Sequence, residues 1–275
     1  LHIYSCGSYF TAAKLFCKKT KSNILLSPNP LLVDEKKKNK TEGNYFVIIK
    51  NLFLYKDFSE KRKNDKVLNS HCEKISELVK DNLKKNAYFD HHTFILKYFA
   101  DNNFESFVGT ATIPDFYVWF LSEVSFNKLS IIIEEIKEFP VRIYGEGISD
   151  YFKETDNLKI YPGIKADKSQ DLYYSNFGII DYSPTEGIHD RTQRAIFNER
   201  IFLSGTSPHE MNFYKNYNQL FYNFSQGNLA KKCEEIIKDP KLFQEKVVQL
   251  KSDYEKEFNW EDYINIILKN FDLKN

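Results

Sequence analysis

A chain of 275 residues, 42% of them hydrophobic, is long enough to bury one large core or two ordinary ones. Its 39 Lys and Arg residues nearly balance its 38 Asp and Glu residues. The chain therefore has no strong net positive charge that would attract nucleic acid or an anionic membrane surface. Any anion-binding site must therefore be local.

The cysteine residues indicate the cellular compartment and whether a zinc site or disulfide bonds are expected. The four cysteines have no paired short spacing, which argues against a zinc site or a dense disulfide framework. They suit a reducing environment, so we expect a cytoplasmic protein. The sequence has no run of about 20 apolar residues, and no membrane-spanning helix is predicted.

The chain begins with a strand, turn, helix and strand pattern. Residues 2–4 and 24–26 predict strands, and a helix over residues 9–18 would join them into a βαβ unit. The intervening turn lacks the three-glycine fingerprint of dinucleotide-binding folds, so this unit predicts topology rather than a phosphate site. Residues 45–49 predict a further strand, because they are aromatic and β-branched.

From residue 70 the pattern is helical. Ser70 begins a capping-box pattern that predicts the start of one helix, and a second helix is predicted after Asp90. His91 and His92 are adjacent, so their side chains would point about 100° apart and we do not expect them to share a metal ion. The apolar stretch over residues 112–136 predicts one bent helix or two.

The second half of the chain alternates between strands and helices. Strands are predicted at residues 141–147, 158–163, 178–180, 200–203 and 219–224. Helices predicted between and after them imply parallel pairing with right-handed crossovers. The fold class is therefore α/β: a Rossmann-like parallel sheet domain over residues 139–275, preceded by a smaller, helix-rich α/β domain over residues 1–138.

Residues 178–205 read as a strand, a polar turn, a helix and a second strand. In open α/β sheets, ligands bind beyond the carboxyl ends of the strands, where a helix N-terminus offers free backbone N–H groups and partial positive charge. His189, Arg191 and Arg194 lie at this point and predict a phosphate or diphosphate ligand. The two arginines could instead form ion pairs with acidic neighbours on the helix surface.

The order in which these segments follow one another is similar to that in a known protein family. The chain runs through VRIYGEG (141–147), LKIYPGI (158–164), TEGIHDRTQRAI (185–196) and RIFLSG (200–205). This succession resembles the donor-binding domain of GT-B glycosyltransferases, particularly the group-1-like branch, in which a Gly-x-His-x-Arg segment opens a helix. The later FYNFSQGNLAKKCEEIIKDPKLFQEKV is similar to the closing pattern of that domain, and the resemblance covers residues 125–260.

The resemblance implies a glycosyltransferase that moves a sugar from a nucleoside-diphosphate donor to a glycan or lipid-linked saccharide. It implies catalytic roles for His189, Arg191 and Glu186. It also implies donor binding by Gly145, Gly147, Tyr161, Gly163, Thr185, Gly187 and Arg194. Many retaining members carry two glutamates eight positions apart, whereas Glu186 is followed at that distance by Arg194, so the stereochemical outcome stays open.

The implied cofactor and partner set is short. The sequence has no Asp-x-Asp motif, so we expect no metal and no cofactor besides the nucleotide-sugar donor. The expected partners are that donor and a saccharide or glycolipid acceptor, the latter with peripheral membrane association, and no nucleic acid. Two alternatives stay open: a non-catalytic α/β interaction module, and another phosphate-ligand-binding α/β enzyme such as an epimerase.

Overall fold

The computed structural model of this chain describes residues 2–5, 23–26, 43–52, 60, 65–85, 89–104, 113–164, 172–173, 176–182, 190–205, 214–225, 227–257, 261 and 265. The elements, in chain order, are β1 (His2–Ser5), β2 (Asn23–Leu26), β3 (Phe46–Ile49), α1 (Lys66–Lys85), α2 (His91–Asp101), α3 (Ile113–Glu135), β4 (Val141–Tyr144), β5 (Leu158–Tyr161), β6 (Gly178–Asp181), α4 (Asp190–Phe197), β7 (Phe202–Gly205), a 3-10 helix (Lys215–Leu220), β8 (Phe221–Tyr222), α5 (Leu229–Lys238) and α6 (Pro240–Glu257).

A six-stranded, fully parallel sheet organises the fold, with the strand order β5-β4-β3-β6-β7-β8. Counted along the chain, this is the order third, second, first, fourth, fifth and sixth, which defines the doubly wound Rossmann arrangement. Along the chain, β4 and β5 are added on one side of β3, and β6, β7 and β8 are then added on its other side. The neighbouring pair of β3 and β6 is therefore the topological switch point of the sheet.

The first two strands form a separate parallel pair. Strand β1 pairs with β2 in register from His2 with Asn23 to Ser5 with Leu26. Both predicted strands are thus confirmed, and their parallel pairing agrees with the predicted βαβ unit. The helix predicted over residues 9–18 lies outside the described residues.

Two hydrophobic cores share one helix. The sheet core contains Leu129, Ile132 and Ile136 from the second half of α3 and its end, packed with the buried faces of the strands. A second core, here called the helical core, is built by α1, α2 and the first half of α3, and includes Trp119 and Val124. The helix predicted over residues 112–136 is thus one continuous element that joins both cores.

The length of α3 exceeds what the sheet can cover. Its 23 residues span about 34 Å, whereas a strand of four residues spans about 13 Å. The helix ends shortly before β4 begins at Val141, so it runs antiparallel to the strands and reaches the amino edge of the sheet at its end. Its first half packs in the helical core with α1 and α2.

One stretch of α3 has the length and composition of a membrane span. Residues Phe116–Glu135 pass that test, and 50% of the tested window is buried inside the protein. This is weak support for a span, because the core helices of proteins with no membrane contact have the same composition. The packing of this stretch in two cores accounts for its apolar character.

Side-chain caps decide where three of the helices begin. Helix α1 begins at Lys66, because the carboxylate of Asp65 accepts the N–H groups of Val67 at 3.1 Å and Leu68 at 3.0 Å. The predicted start at Ser70 was wrong, since that residue lies inside the helix. The start after Asp90 is confirmed, because Asp90 caps α2. In the same way, Asp239 accepts the N–H of Leu242 at 3.1 Å in the first turn of α6.

The sheet also takes a strand from before residue 139. Strand β3 lies in its centre, between β4 and β6, although residues 46–49 fall in the part of the chain expected to form the smaller N-terminal domain. A boundary at residue 139 would therefore separate the central strand from both of its neighbours. The division of the chain into two domains stays a prediction, with β3 belonging to the sheet.

Close packing at the carboxyl edge makes Gly145 intolerant of a side chain. A Cβ atom at this position would lie 1.5 Å from the carbonyl oxygen of Lys50, which is backbone and cannot turn aside. We expect Gly145→Ala to lower the free energy of unfolding by about 1–3 kcal/mol, measured by urea denaturation.

Gly163→Ala is the matched control for this substitution. Its new Cβ would meet the carboxylate end of Glu146 at 2.9 Å, and that flexible side chain can move. We expect a loss of less than about 1 kcal/mol for the control. Equal losses for the two variants would contradict the packing described here.

Candidate anion-binding site

Strands β3 and β6 form the switch point of the sheet, and the crevice expected in doubly wound folds lies between them at the carboxyl edge. The two strands pair only through Phe46 with Gly178 and Val47 with Ile179, whereas β3 pairs with β4 along all four residues. The carboxyl halves of β3 and β6 therefore separate. This is the place at which doubly wound folds bind their ligands.

Asp181, the last residue of β6, anchors the crevice. Its side chain is 2% exposed. One carboxylate oxygen accepts the Nε–H of Arg191 at 2.9 Å, and the other accepts the hydroxyl of Thr192 at 2.7 Å. Tyr222, at the end of β8, donates its hydroxyl to the backbone carbonyl of Asp181 at 3.0 Å. The end of β6 is thus tied to the first turn of α4 and to β8.

Lys50 follows β3 directly and faces the same crevice. Its ammonium lies 5.2 Å from the centre of the Tyr182 ring, within the range of a cation–π contact. Burial, and then the Arg191 guanidinium, lowers the pKa of Lys50 to about 7, against a smaller opposing effect of Asp181. The side chain keeps some exposed surface, but protein atoms surround its ammonium. Lys50 therefore changes its charge near neutral pH.

A second lysine reaches the site from α3. Burial lowers the pKa of Lys128 to about 8, and Asp181 opposes this effect. The Lys128 ammonium lies 5.5 Å from the centre of the Phe224 ring, just beyond β8. It also contributes to the lowered pKa of Lys50, which places the two ammonium groups in one electrostatic cluster.

Tyr182 adds a buried polar group. The residue is 2% exposed, and its hydroxyl has no hydrogen-bond partner among the residues that the structure describes. Burial raises the pKa of Tyr182 well above its usual value, so the phenol stays protonated at neutral pH and can donate a hydrogen bond. An unpaired buried hydroxyl costs roughly 1–3 kcal/mol, which a ligand oxygen would recover.

The chemistry of the site follows from its charges. Within the described part of the chain, three cationic side chains, Lys50, Lys128 and Arg191, act on one carboxylate. Arg191 and Asp181 largely neutralise each other, so the two lysines supply the excess positive charge. Among the same residues, no group of three His, Cys, Asp or Glu side chains could hold a metal ion. The arrangement suits a multiply charged anion.

The structure places some of the predicted site residues and leaves others out. Arg191 lies in the cluster, where its guanidinium pairs with Asp181 at 2.9 Å. Glu199, one of the two acidic neighbours with which these arginines could pair on the helix surface (Asp190 is the other), contacts Lys251 at 2.9 Å. Arg194 lies on α4 and is partly buried. Thr185, Glu186, Gly187 and His189 lie outside the described residues, and their roles stay predictions.

Four predicted donor-binding residues lie at the ends of β4 and β5. Gly145 and Gly147 bracket Glu146, whose carboxylate accepts the N–H of Gly163 at 3.0 Å. The ring of Tyr161 stacks on that of Tyr144 with centres 4.8 Å apart. These turns lie along the carboxyl edge on the β4 side of the crevice, and the roles of the four residues stay predictions.

Lys50 and Lys128 were not among the site residues predicted from the sequence. Each carries a weak signal: Lys50 comes directly after a strongly β-prone run, and Lys128 interrupts an otherwise apolar helix. A lysine at a strand end or within a helix is usually solvated, so neither signal distinguishes a site from a surface. Only the crossing of α3 over the sheet edge brings the two lysines together.

The fold and its site define a class: a doubly wound α/β protein with a cationic site at its switch point. No family profile and no curated protein matches the sequence. The structure is similar to the crystal structure of TarM, with a TM-score of 0.52 and 11% sequence identity. That match covers 98% of this chain and 42% of TarM.

A second solved structure gives the same result. It is a variant of TarM from S. aureus in complex with fondaparinux, alpha-GlcNAc-glycerol and UDP, with a TM-score of 0.53 and 11% identity. The match covers 98% of this chain and 43% of that one, so the chain spans less than half the length of the structures it resembles. TarM is a glycosyltransferase of the GT-B type, and the expected glycosyltransferase fold is confirmed at that level.

The buried position of Lys50 predicts how its contribution to the stability of the protein changes with pH. Between pH 7 and pH 10.5 Lys50 is protonated in the unfolded chain and neutral in the folded chain, so the contribution of this residue to stability rises with pH across this range. Below pH 7 the folded protein bears the full cost of the buried charge. We expect Lys50→Met to raise the free energy of unfolding by about 1–3 kcal/mol at pH 6.5, a range discounted for partial exposure.

The measurement is urea denaturation of both proteins at several pH values from 6.5 to 10. The gain in stability from the substitution should shrink as the pH rises. Lys137→Met removes a lysine that is exposed and paired with Glu134, and it should change stability little at any pH. A destabilised Lys50→Met at pH 6.5 would show that the ammonium is not strained in the folded protein.

Proposed function

We propose that this chain is the nucleotide-sugar-binding part of a glycosyltransferase, which moves a sugar from a nucleoside diphosphate to a saccharide or glycolipid acceptor. The observation that carries the proposal is the cationic cluster at the switch point of a sheet with the fold of a GT-B glycosyltransferase. In this proposal the cluster binds the diphosphate of the donor. The UDP in the TarM complex supports this class of ligand.

The cluster would act mainly on the leaving group. Breaking the bond between the sugar and the diphosphate builds negative charge on the departing phosphate oxygen. Fixed positive groups in a site with little water stabilise that charge more in the transition state than in the bound donor. Lys50 and the Arg191 guanidinium held by Asp181 are the described groups that would supply this stabilisation.

The remaining parts of the proposal extend to the loop before α4. His189 and Glu186 keep their proposed catalytic roles, and Thr185 and Gly187 keep their proposed roles in donor binding. The reaction is proposed to need no metal, because the protein's own cations can neutralise a diphosphate. We also keep the proposal of a cytoplasmic location.

Nucleoside diphosphates should stabilise the protein. Thermal denaturation with and without millimolar UDP, GDP, ADP and CDP should show a rise in Tm of a few degrees with at least one of them, since a ligand at 100 times its Kd adds about 2.7 kcal/mol. Lys50→Met should lose this rise, because it removes a cation at the crevice.

The exposed Lys137 supplies the control, and Lys137→Met should keep the full response. A flat response of the intact, folded protein to all four nucleotides would contradict the enzyme proposal. That result would favour the non-catalytic α/β interaction module.

Binding of a diphosphate should weaken as the pH rises. The unliganded pKa values of about 7 for Lys50 and about 8 for Lys128 mean that both lysines lose their charge between pH 6.5 and 8.5. A bound anion stabilises the protonated forms, so binding takes up protons. We expect the affinity for the best nucleotide to fall by about tenfold over this range, measured by isothermal titration calorimetry.

The ligand itself cannot produce this fall. A diphosphate gains negative charge as the pH rises, which alone would strengthen its binding to a site of constant charge. The Lys50→Met variant should show a shallower pH dependence than the wild-type protein. An affinity that stays constant or increases up to pH 8.5 would show that the lysines do not titrate in the binding reaction.

A further inference from the structure

A cavity with a polar lining lies at the amino edge of the sheet. Its volume is about 360 Å³, within the range of about 300–1,000 Å³ that small-molecule sites have. The side chains that line it include one aromatic ring, two cations and three hydrogen-bonding groups: Tyr45, Arg142, Lys159, Asn44, Asp156 and Asn157. They lie before or at the start of β3, β4 and β5, whereas the anion site described above lies where strands end. A four-residue strand spans about 13 Å, so one small ligand cannot occupy both places.

Two positive side chains lie next to each other in this cavity. Arg142 and Lys159 are register partners on the parallel strands β4 and β5, so they project from the same face of the sheet on strands about 4.8 Å apart. Within the described part of the chain, neither forms an ion pair with an acidic side chain. Neighbouring like charges on a sheet repel each other, and an anion bound between them removes this cost.

Aromatic side chains hold the Arg142 guanidinium in place. Its central carbon lies 3.7 Å from the centre of the Tyr45 ring and 6.0 Å from the centre of the Tyr161 ring. Burial raises the pKa of Tyr144, and a hydrogen bond from Arg142 to its hydroxyl opposes this effect. These contacts leave further N–H donors on the guanidinium, which is partly exposed. A guanidinium held in this way can bind two oxygens of one carboxylate or phosphate with little further loss of side-chain entropy.

The remaining lining groups are suited to hydroxyls. Asn157 donates its amide N–H to the backbone carbonyl of Lys137 at 3.2 Å, which leaves its side-chain oxygen as an acceptor. Asn44 and Asp156 are exposed at the same cavity and supply further acceptors. The ring of Tyr45 adds apolar surface, against which the C–H groups of a sugar ring can pack. A simple anion would use only the two cations, whereas an acidic sugar would use the whole lining.

We propose that this cavity is a second binding site, which takes a saccharide that carries a carboxylate or phosphate group. Arg142 and Lys159 bind the anionic group. The hydroxyls of the sugar donate hydrogen bonds to Asn44, Asp156 and Asn157. The inference goes beyond the proposed function, because this site binds a saccharide at the opposite edge of the sheet and does not react with it.

The test measures the binding of glucuronate, glucose 6-phosphate, glucose and acetate to the full chain at pH 7 by isothermal titration calorimetry. We expect the two acidic sugars to bind about tenfold more tightly than either glucose or acetate. The reason is that only an acidic sugar combines charge-assisted hydrogen bonds with hydroxyl contacts.

Substitutions of the two cations should weaken the binding of the acidic sugars. We expect a loss of about tenfold for Arg142→Met and of about three- to tenfold for Lys159→Met. Arg142→Lys should lose less than Arg142→Met, because it keeps the charge but cannot bind two oxygens side by side. The control is Lys241→Met, which removes an exposed lysine on α6 and should match the wild-type protein.

The outcomes separate this cavity from the anion site at the carboxyl edge. Lys50→Met should keep the affinity for both acidic sugars. If Lys50→Met removes their binding and Lys159→Met keeps it, they bind at the carboxyl edge, and the inference fails while the proposed function stands. Equal affinities for glucuronate and glucose, or for glucuronate and acetate, would also overturn it, as would no binding of either acidic sugar. Circular dichroism and the Tm establish that each variant is folded, and Lys159→Gln replaces Lys159→Met if that variant is not.

Discussion

The buried carboxylate of Asp181 holds the functional end of this fold together. It joins the last residue of β6 to the first turn of α4 through Arg191 and Thr192, with both oxygens engaged. It also offsets the repulsion among Arg191, Lys50 and Lys128. Without this negative charge, three cations would lie close together with water largely excluded. The arrangement of these side chains at the carboxyl edge depends on this residue.

The sheet explains why these groups meet. In the order β5-β4-β3-β6-β7-β8, β3 and β6 lie side by side although more than 120 residues separate them in the chain. Their incomplete pairing leaves room at the carboxyl edge, where Lys50 and Tyr182 follow the strands. The long helix α3 then adds a side chain from above the edge. The site is therefore built by topology rather than by one local motif.

The local sequence pattern predicts most strands of the fold, but it does not predict most residues of the candidate site. The strands β3 to β8 were predicted at nearly their observed positions. Short runs of β-branched and aromatic residues between turns form strands far more often than other elements. The order of the strands is a matter of long-range pairing, so the central place of residues 46–49 was not anticipated. The start of α1 was misplaced because Asp65 is a stronger cap than the pattern at Ser70 suggested.

The residues of the candidate site were likewise predicted only where a local sequence motif contains them. Arg191 was identified because it lies in a recognisable turn between strand and helix, but its partner Asp181 was not named. Lys50 and Lys128 were missed because the sequence alone cannot distinguish a desolvated lysine from an exposed one. Their chemistry comes from burial among residues that are distant in sequence, including the aromatic rings of Tyr182 and Phe224.

The continuity of α3 has a mechanical consequence. A straight helix resists bending, so a displacement of its amino-terminal half is carried along its axis to the ammonium of Lys128. The packing of Trp119 and its neighbours therefore sets the position of the helix that carries Lys128. A displacement of the helical core would thereby move the Lys128 ammonium relative to Asp181.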